Sequence, residues 1–142
     1  MARRAAREAA MKLLYQRSFT DDRDQDSLNE LIEEMSLKDG DISYINDILS
    51  GWSAHCDEID AIIREKAVGW RFDRISRIDL SILRLALYEI IYRKDIPHSV
   101  SINEGVELAK KYGSEKSGMF VNGILGGFIR SGHAPDDREK SE

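Results

Sequence analysis

Apolar side chains recur along this chain at the 3.6-residue period of an α-helix almost from end to end. Between Arg3 and Arg17, at 100° per residue, Ala6, Ala9, Ala10, Leu13 and Leu14 fall within an arc of about 140°, which predicts a helix with one core face. Arg4, Arg7, Met11 and Tyr15 make a second stripe outside that arc. The polar, acidic run from Thr20 to Asp26 predicts a loop. Ser27 and Glu30 have the spacing of a capping box ahead of Leu28, Leu31, Ile32 and Met35. After the break at Asp39-Gly40-Asp41, a third helix buries Ile42, Ile45, Ile48, Leu49 and Trp52. Asp57 opens a fourth, with Ile59, Ile62 and Ile63 inward, that ends near Gly69.

The most apolar segment runs from Asp73 to Lys94. Ile75, Ile78, Ile82, Leu83, Leu85, Ala86, Ile90 and Ile91 cover more than one side of it, which predicts a central helix with several neighbours. Pro97 stops it. Ser101 and Glu104 form a second capping box, and Ile102, Val106, Leu108 and Ala109 lead to Gly113 as the helix end. A last helix, from about Glu115 to Arg130, carries Phe120, Val121, Ile124, Leu125 and Phe128. Gly123, Gly126 and Gly127 weaken it by up to about 1 kcal/mol each, and Gly123 is expected to admit a closely packed neighbour. The polar segment after Gly132 reads as a frayed end. With no period-two alternation, the prediction is an all-α fold of about seven helices. It divides near Gly69 to Asp73 into an N-terminal part, 3–69, and a C-terminal part, 70–131.

Composition narrows the function classes. A length of 142 residues is one ordinary domain, and 42% hydrophobic content supplies a core. No stretch approaches the roughly 20 apolar residues of a membrane span. The arginines at the start precede no apolar block, so no secretory signal is expected and a cytoplasmic location is. A single cysteine, Cys56, excludes an internal disulfide and a thiolate metal site. His55, His98 and His133 share no ligand spacing, and there is no phosphate-binding glycine loop or nucleophile elbow. Cys56 and His55, as helix neighbours, point apart. No cofactor and no catalytic constellation is expected, and a binding protein is favoured over an enzyme.

Charge changes the picture further. The net charge is −5, yet residues 1–17 hold Arg3, Arg4, Arg7, Lys12 and Arg17 against Glu8 alone, a local +4 that leaves −9 for the remainder. A stripe of guanidinium groups beside Tyr15 suits phosphate contact with an adjacent stacking surface, or a protein contact; a solvated helix face is the plainer alternative. Tyr112, Lys116, Phe120 and Asn122 form a second group, with Lys116 and Phe120 on one helix face, although Phe120 also suits the core. The junction Trp70-Arg71-Phe72-Asp73-Arg74, followed by Arg77 and Asp79, mixes aromatic and charged residues in the manner of a protein interface. An equal reading has Trp70 plugging the two halves together.

Five strings occur in order: Ala6-Arg7-Glu8-Ala9-Ala10; Ile82-Leu83-Arg84-Leu85-Ala86-Leu87-Tyr88-Glu89; Asp95-Ile96-Pro97; Ile102-Asn103-Glu104 with Glu107-Leu108-Ala109-Lys110; and Phe120-Val121-Asn122-Gly123. Together, from Arg3 to Ile129, they resemble the NusB family of bacterial transcription antitermination factors. The resemblance implies two small helical bundles sharing a long central helix, and a non-enzymatic role. It implies pairing with NusE, a small-subunit ribosomal protein, and binding of the pair to boxA RNA of rRNA leader transcripts. Other Nus factors and RNA polymerase complete the assembly. Carried over residue by residue, it implies RNA contacts at Arg3, Arg4, Arg7, Phe120 and Lys116, and NusE contacts at Tyr15, Arg74 and Asp79.

Leu80 departs from the family pattern, standing where relatives commonly have a basic residue. Gly105 replaces a common alanine, and Gly126-Gly127 is unusual. Homodimerisation is left open by the sequence. The rivals are a protein–protein adaptor without RNA contact and the NusB-like module of an rRNA methyltransferase, for whose cofactor domain 142 residues leave no room. The RNA reading requires the guanidiniums of the first helix to be uncovered.

Overall fold

The computed structural model describes residues 4–19 and 24–137, and every regular element among them is helical. In chain order these are α1 (Arg4–Arg17), α2 (Asp24–Met35), α3 (Asp39–Lys66), α4 (Arg77–Tyr92), α5 (His98–Tyr112) and α6 (Ser117–Arg130), with a short 3₁₀ turn at Phe72–Arg74. Arg3 lies outside the described residues. No described helix is long and apolar enough to cross a membrane.

Six helices stand where about seven were expected because the third and fourth are one. α3 runs 28 residues and absorbs the change of face at His55, whose φ of −124° and ψ of 17° kink the helix without ending it. No proline interrupts this stretch, so nothing forces a break. Asp57 therefore lies inside a helix, as does Ser27, since α2 begins at Asp24.

Ser101 and Glu104 are not a capping box either. α5 starts at His98, just after Pro97, and the His98 backbone N–H donates to the Asp137 carboxylate at 3.1 Å. A carboxylate at a helix N-terminus meets both the free N–H groups and the helix dipole. The segment expected to fray is thus folded back as far as Asp137, and Ala134 packs on the core. At α4 the cap is Ser76, whose hydroxyl accepts from the Asp79 backbone N–H at 3.1 Å.

α4 is the centre, packed by α1, α3, α5 and α6. Ile82, Leu83 and Leu87 on it are fully enclosed. Leu80 is also buried there, which accounts for an apolar residue at that departure from the family pattern. Gly51 brings α3 close to α4: a Cβ at Gly51 would lie 2.2 Å from the Tyr88 ring. Gly123, by contrast, has no atom within 4 Å of where its Cβ would be, so it admits no tight neighbour.

Candidate nucleic-acid and partner interface

α1 reaches the core by its alanine and leucine face, and that face is wider than the periodicity suggests. Arg7 and Met11, expected in an outer stripe, are both buried because α4 and α5 close over that side of α1. The Arg7 Nε donates to Glu89 Oε2 at 2.8 Å and its Nη2 to Glu89 Oε1 at 3.3 Å. Glu89 also accepts from the Tyr44 hydroxyl and from Ser101 Oγ at 2.7 Å. Three donor side chains from α1, α3 and α5 thus converge on one carboxylate of α4. Burial works against the charge on Arg7, but the hydrogen bond and charge of Glu89, with Tyr44 and Glu104 adding, hold its pKa above the ordinary value. Burial, then the Glu89 charge and hydrogen bond, raise the Tyr44 phenol well above its usual range.

The Arg7 guanidinium, nominated for RNA, is accordingly buried and held by Glu89, which gives it a core contact. Arg4 is different: its side chain is 73% exposed and leans on Glu104 at 3.2 Å. Glu104 also lies 4.0 Å from Arg7 Nη1. On the same side, Lys111 donates to Glu8, and that hydrogen bond and charge raise the lysine pKa. Arg4, Glu104 and Lys111 line a shallow cleft of about 170 Å³. The requirement that the first helix present uncovered arginines is therefore met only in part.

Cations continue past this cleft, whose own walls mix Arg4, Arg7 and Lys111 with Glu8, Glu104 and Glu107. Lys12 and Lys111 lie 5.7 and 5.3 Å from the Tyr112 ring centroid. Tyr112 in turn lines a larger cleft of about 390 Å³, and so do Arg74, Asp79, Lys116 and Phe120. Two groups nominated separately from sequence, Arg74 with Asp79 on the 3₁₀ turn and the first turn of α4, and Lys116 with Phe120 at the start of α6, are brought to one place. Asp79 is buried, and its Oδ1 has no hydrogen-bond partner among the described residues. A buried carboxylate oxygen without a donor is costly, so an external donor is well accommodated there.

Tyr15 is half-buried and packs edge-on against Phe19, with ring centroids 5.0 Å apart. Phe19 is largely exposed; Arg77 sits 4.1 Å over its ring and donates to the Ser18 carbonyl at 3.1 Å. Phe19 was missed from sequence because it falls beyond the last apolar repeat of α1. Glu89 was missed because a single acidic residue in an apolar helix carries no periodic signal. Trp70 does not plug the halves together: it is 58% exposed and leans on Phe120, ring centroids 5.2 Å apart. His55 stacks on Tyr92, and Cys56, half-buried against the core, lies 3.9 Å from the Asp57 carboxylate.

Comparison with known proteins agrees with this fold. Residues 4–130 match the model of the NusB family. The transcription antitermination protein NusB of Ruminiclostridium cellulolyticum is 47% identical over 142 residues, covering 100% of this chain and 97% of its own length. The solved structure of T. maritima NusB is 38% identical, covers 95% of this chain and 94% of its own, and superposes with a TM-score of 0.84. A crystal structure of the antitermination factors NusB and NusE in complex with dsRNA is 29% identical and covers 91% and 96% of the two chains, with a TM-score of 0.79.

Proposed function

The chain belongs to the NusB family, and from that premise we propose that it acts as a transcription antitermination factor by pairing with NusE, the pair holding boxA RNA of rRNA leader transcripts beside other Nus factors on RNA polymerase in the cytoplasm. The role is one of binding, without a catalytic step. The observation that carries this reading is the convergence of Arg74, Asp79, Lys116 and Phe120 on one cleft. A relative of the same fold assembled with NusE and dsRNA supports it.

The two ligands divide the surface. Tyr15, Arg74 and Asp79 serve the protein partner: the aromatic edge of Tyr15 and Phe19 supplies apolar area, and the unpartnered Asp79 oxygen accepts a donor from NusE. Arg4, Lys116 and Phe120, with Arg3 beyond the described residues, serve the RNA. Arg4 and Lys116 hold phosphates while Phe120 offers a ring face to an unpaired base. Arg7 acts from inside, fixing α1 against α4 so that Arg4 stands at the surface.

On a protein of net charge −5, these few cations bind RNA weakly by themselves, so a composite surface with NusE supplies both affinity and sequence choice. Filter retention of a boxA-like RNA and a scrambled control, with and without NusE, tests this. The expected result is selective retention of the boxA-like RNA by the pair. The pairing of Arg4 with Glu104 and the burial of Arg7 favour one second reading, an adaptor that touches only protein. That reading expects RNA retention to be unchanged when this chain is added to NusE.

A further inference from the structure

We propose that Trp70 and Phe120 form a stacking ridge for unpaired bases, which extends the RNA path beyond Lys116; this rests on the RNA-binding reading above. The two rings lie 5.2 Å apart and tilted by 59°, and they stand between two clefts that each counts both rings among its walls. One is the 390 Å³ cleft already described. The other, of about 280 Å³, runs over the end of α3 and the face of α6.

Three observations favour a nucleic acid strand as the occupant. First, Trp70 is 58% exposed, and Val68 and Met119 beside it are 84% and 82% exposed, so a continuous apolar strip is left in water. Second, the cations along it are available: Lys116 on the first cleft and Lys66 on the second form no ion pair with a described residue. The second cleft has no carboxylate among its walls, so its field suits a polyanion. Third, the strip continues the line of cationic side chains Arg4, Lys111 and Lys116, the first two of which are shared with Glu104 and Glu8. Rings flanked by free cations fit a single strand: every base has a face to stack, and the phosphates between stacked bases fall on the lysines. A base inside a duplex has both faces covered by its stacked neighbours, so the ridge selects single-stranded RNA.

The test uses the full chain with NusE and a short boxA-like single-stranded RNA, alone or annealed to its complement. Trp70→Ala weakens single-strand binding by roughly five- to 150-fold, and Trp70→Phe, which keeps a ring, stays within a few-fold of the parent. Trp70→Ala leaves the slope of log affinity against log salt unchanged, whereas Lys116→Ala flattens it by about 0.7. In a Trp52→Phe background Trp70 is the sole indole, and its emission is quenched by the single strand and not by the duplex. Parent affinity in Trp70→Ala, or unchanged emission at saturating RNA, overturns the ridge. So does quenching by NusE alone, which would make the strip a protein contact. If Lys116→Ala weakens binding while Trp70 stays silent, the ridge fails and the RNA reading stands. If the pair binds no RNA at all, the RNA reading falls and the ridge with it.

Discussion

Arg7 and Glu89 form a two-point ion pair, 2.8 and 3.3 Å, between side chains that are 6% and 1% exposed. It joins the first helix to the central one across 82 positions of sequence. The charge most readily read as a ligand contact is thus spent inside the protein, and it sets where the neighbouring Arg4 emerges.

Removing one partner of this pair strands the other as a buried charge, which costs about 3–5 kcal/mol. Arg7→Met is therefore expected to lower the urea unfolding free energy by that amount, and Arg7→Met with Glu89→Met to recover part of it. Under conditions where Arg7→Met remains folded, its RNA affinity should stay within a few-fold of the parent. A large affinity loss in a fully folded Arg7→Met protein would place the guanidinium at the ligand instead.

Alkaline pH should loosen the same cluster. The Tyr44 phenol is held above its ordinary value of 10, first by burial and then by Glu89, with Arg7 and Arg93 opposing. Its folded pKa exceeds the unfolded one, so its contribution is complete below about pH 10 and drains away as pH climbs toward the folded value. Stability measured by urea titration at successive pH values should fall above pH 10, by at most about 1.4 kcal/mol per pH unit for this one group. Tyr44→Phe should lose a hydrogen bond at every pH and yet show a shallower alkaline slope. A residual slope is expected from Tyr88 and from Tyr92, the latter pushed up to about 12 chiefly by desolvation and the Glu58 hydrogen bond.

Glu104 competes with phosphate for Arg4. Glu104→Gln should strengthen binding of single-stranded RNA and steepen its salt dependence by up to about 0.7, one further phosphate neutralised. Arg4→Ala should do the reverse. Fluorescence anisotropy across a salt series reads both, and weaker RNA binding by Glu104→Gln would contradict the competition.

Asp79→Lys should weaken NusE binding at least about tenfold, since it places a like charge where a donor is to be received. Ser76 keeps its bond to the backbone of residue 79, so the start of α4 should survive. Titration calorimetry with NusE, alongside a thermal melt of the free variant, separates the two effects; wild-type affinity would exclude Asp79 from the contact.

Gly105→Ala should raise stability by roughly 0.5–1 kcal/mol, because alanine suits a helix interior and narrows the unfolded ensemble. A Cβ at Gly105 would meet Leu125 at 3.5 Å and Ala86 at 3.6 Å, ordinary contact distances, so the space already exists. A lower thermal midpoint would show that the surrounding side chains cannot hold the extra methyl.

Helix positions were legible in the sequence because the apolar stripes of α1, α4 and α6 face one shared core. Boundaries were less so. Ser27, Asp57 and Ser101 have the chemistry of caps, but nothing in their spacing reveals that α2 and α5 start three residues earlier or that α3 continues through His55. α4 is capped by Ser76, and the first N–H of α5 is satisfied by Asp137, which arrives from 39 positions away, beyond the reach of any local rule. The candidate site divides along the same line. Lys116 and Phe120 share a helix face and were legible as a pair. The burial of Arg7 depends on Glu89, and the exposure of Trp70 depends on how the 3₁₀ turn meets α6; both are tertiary facts.

α4 is gripped by helices drawn from before and after the 3₁₀ turn, so neither flank closes an interior without the other. Melting is then a single cooperative event, in which calorimetric and van't Hoff enthalpies coincide. Occupancy at α6 slows amide exchange in α1 as well, since both open only when the whole molecule does. The two binding surfaces are in this way thermally insured by one another, without any change of shape passing between them.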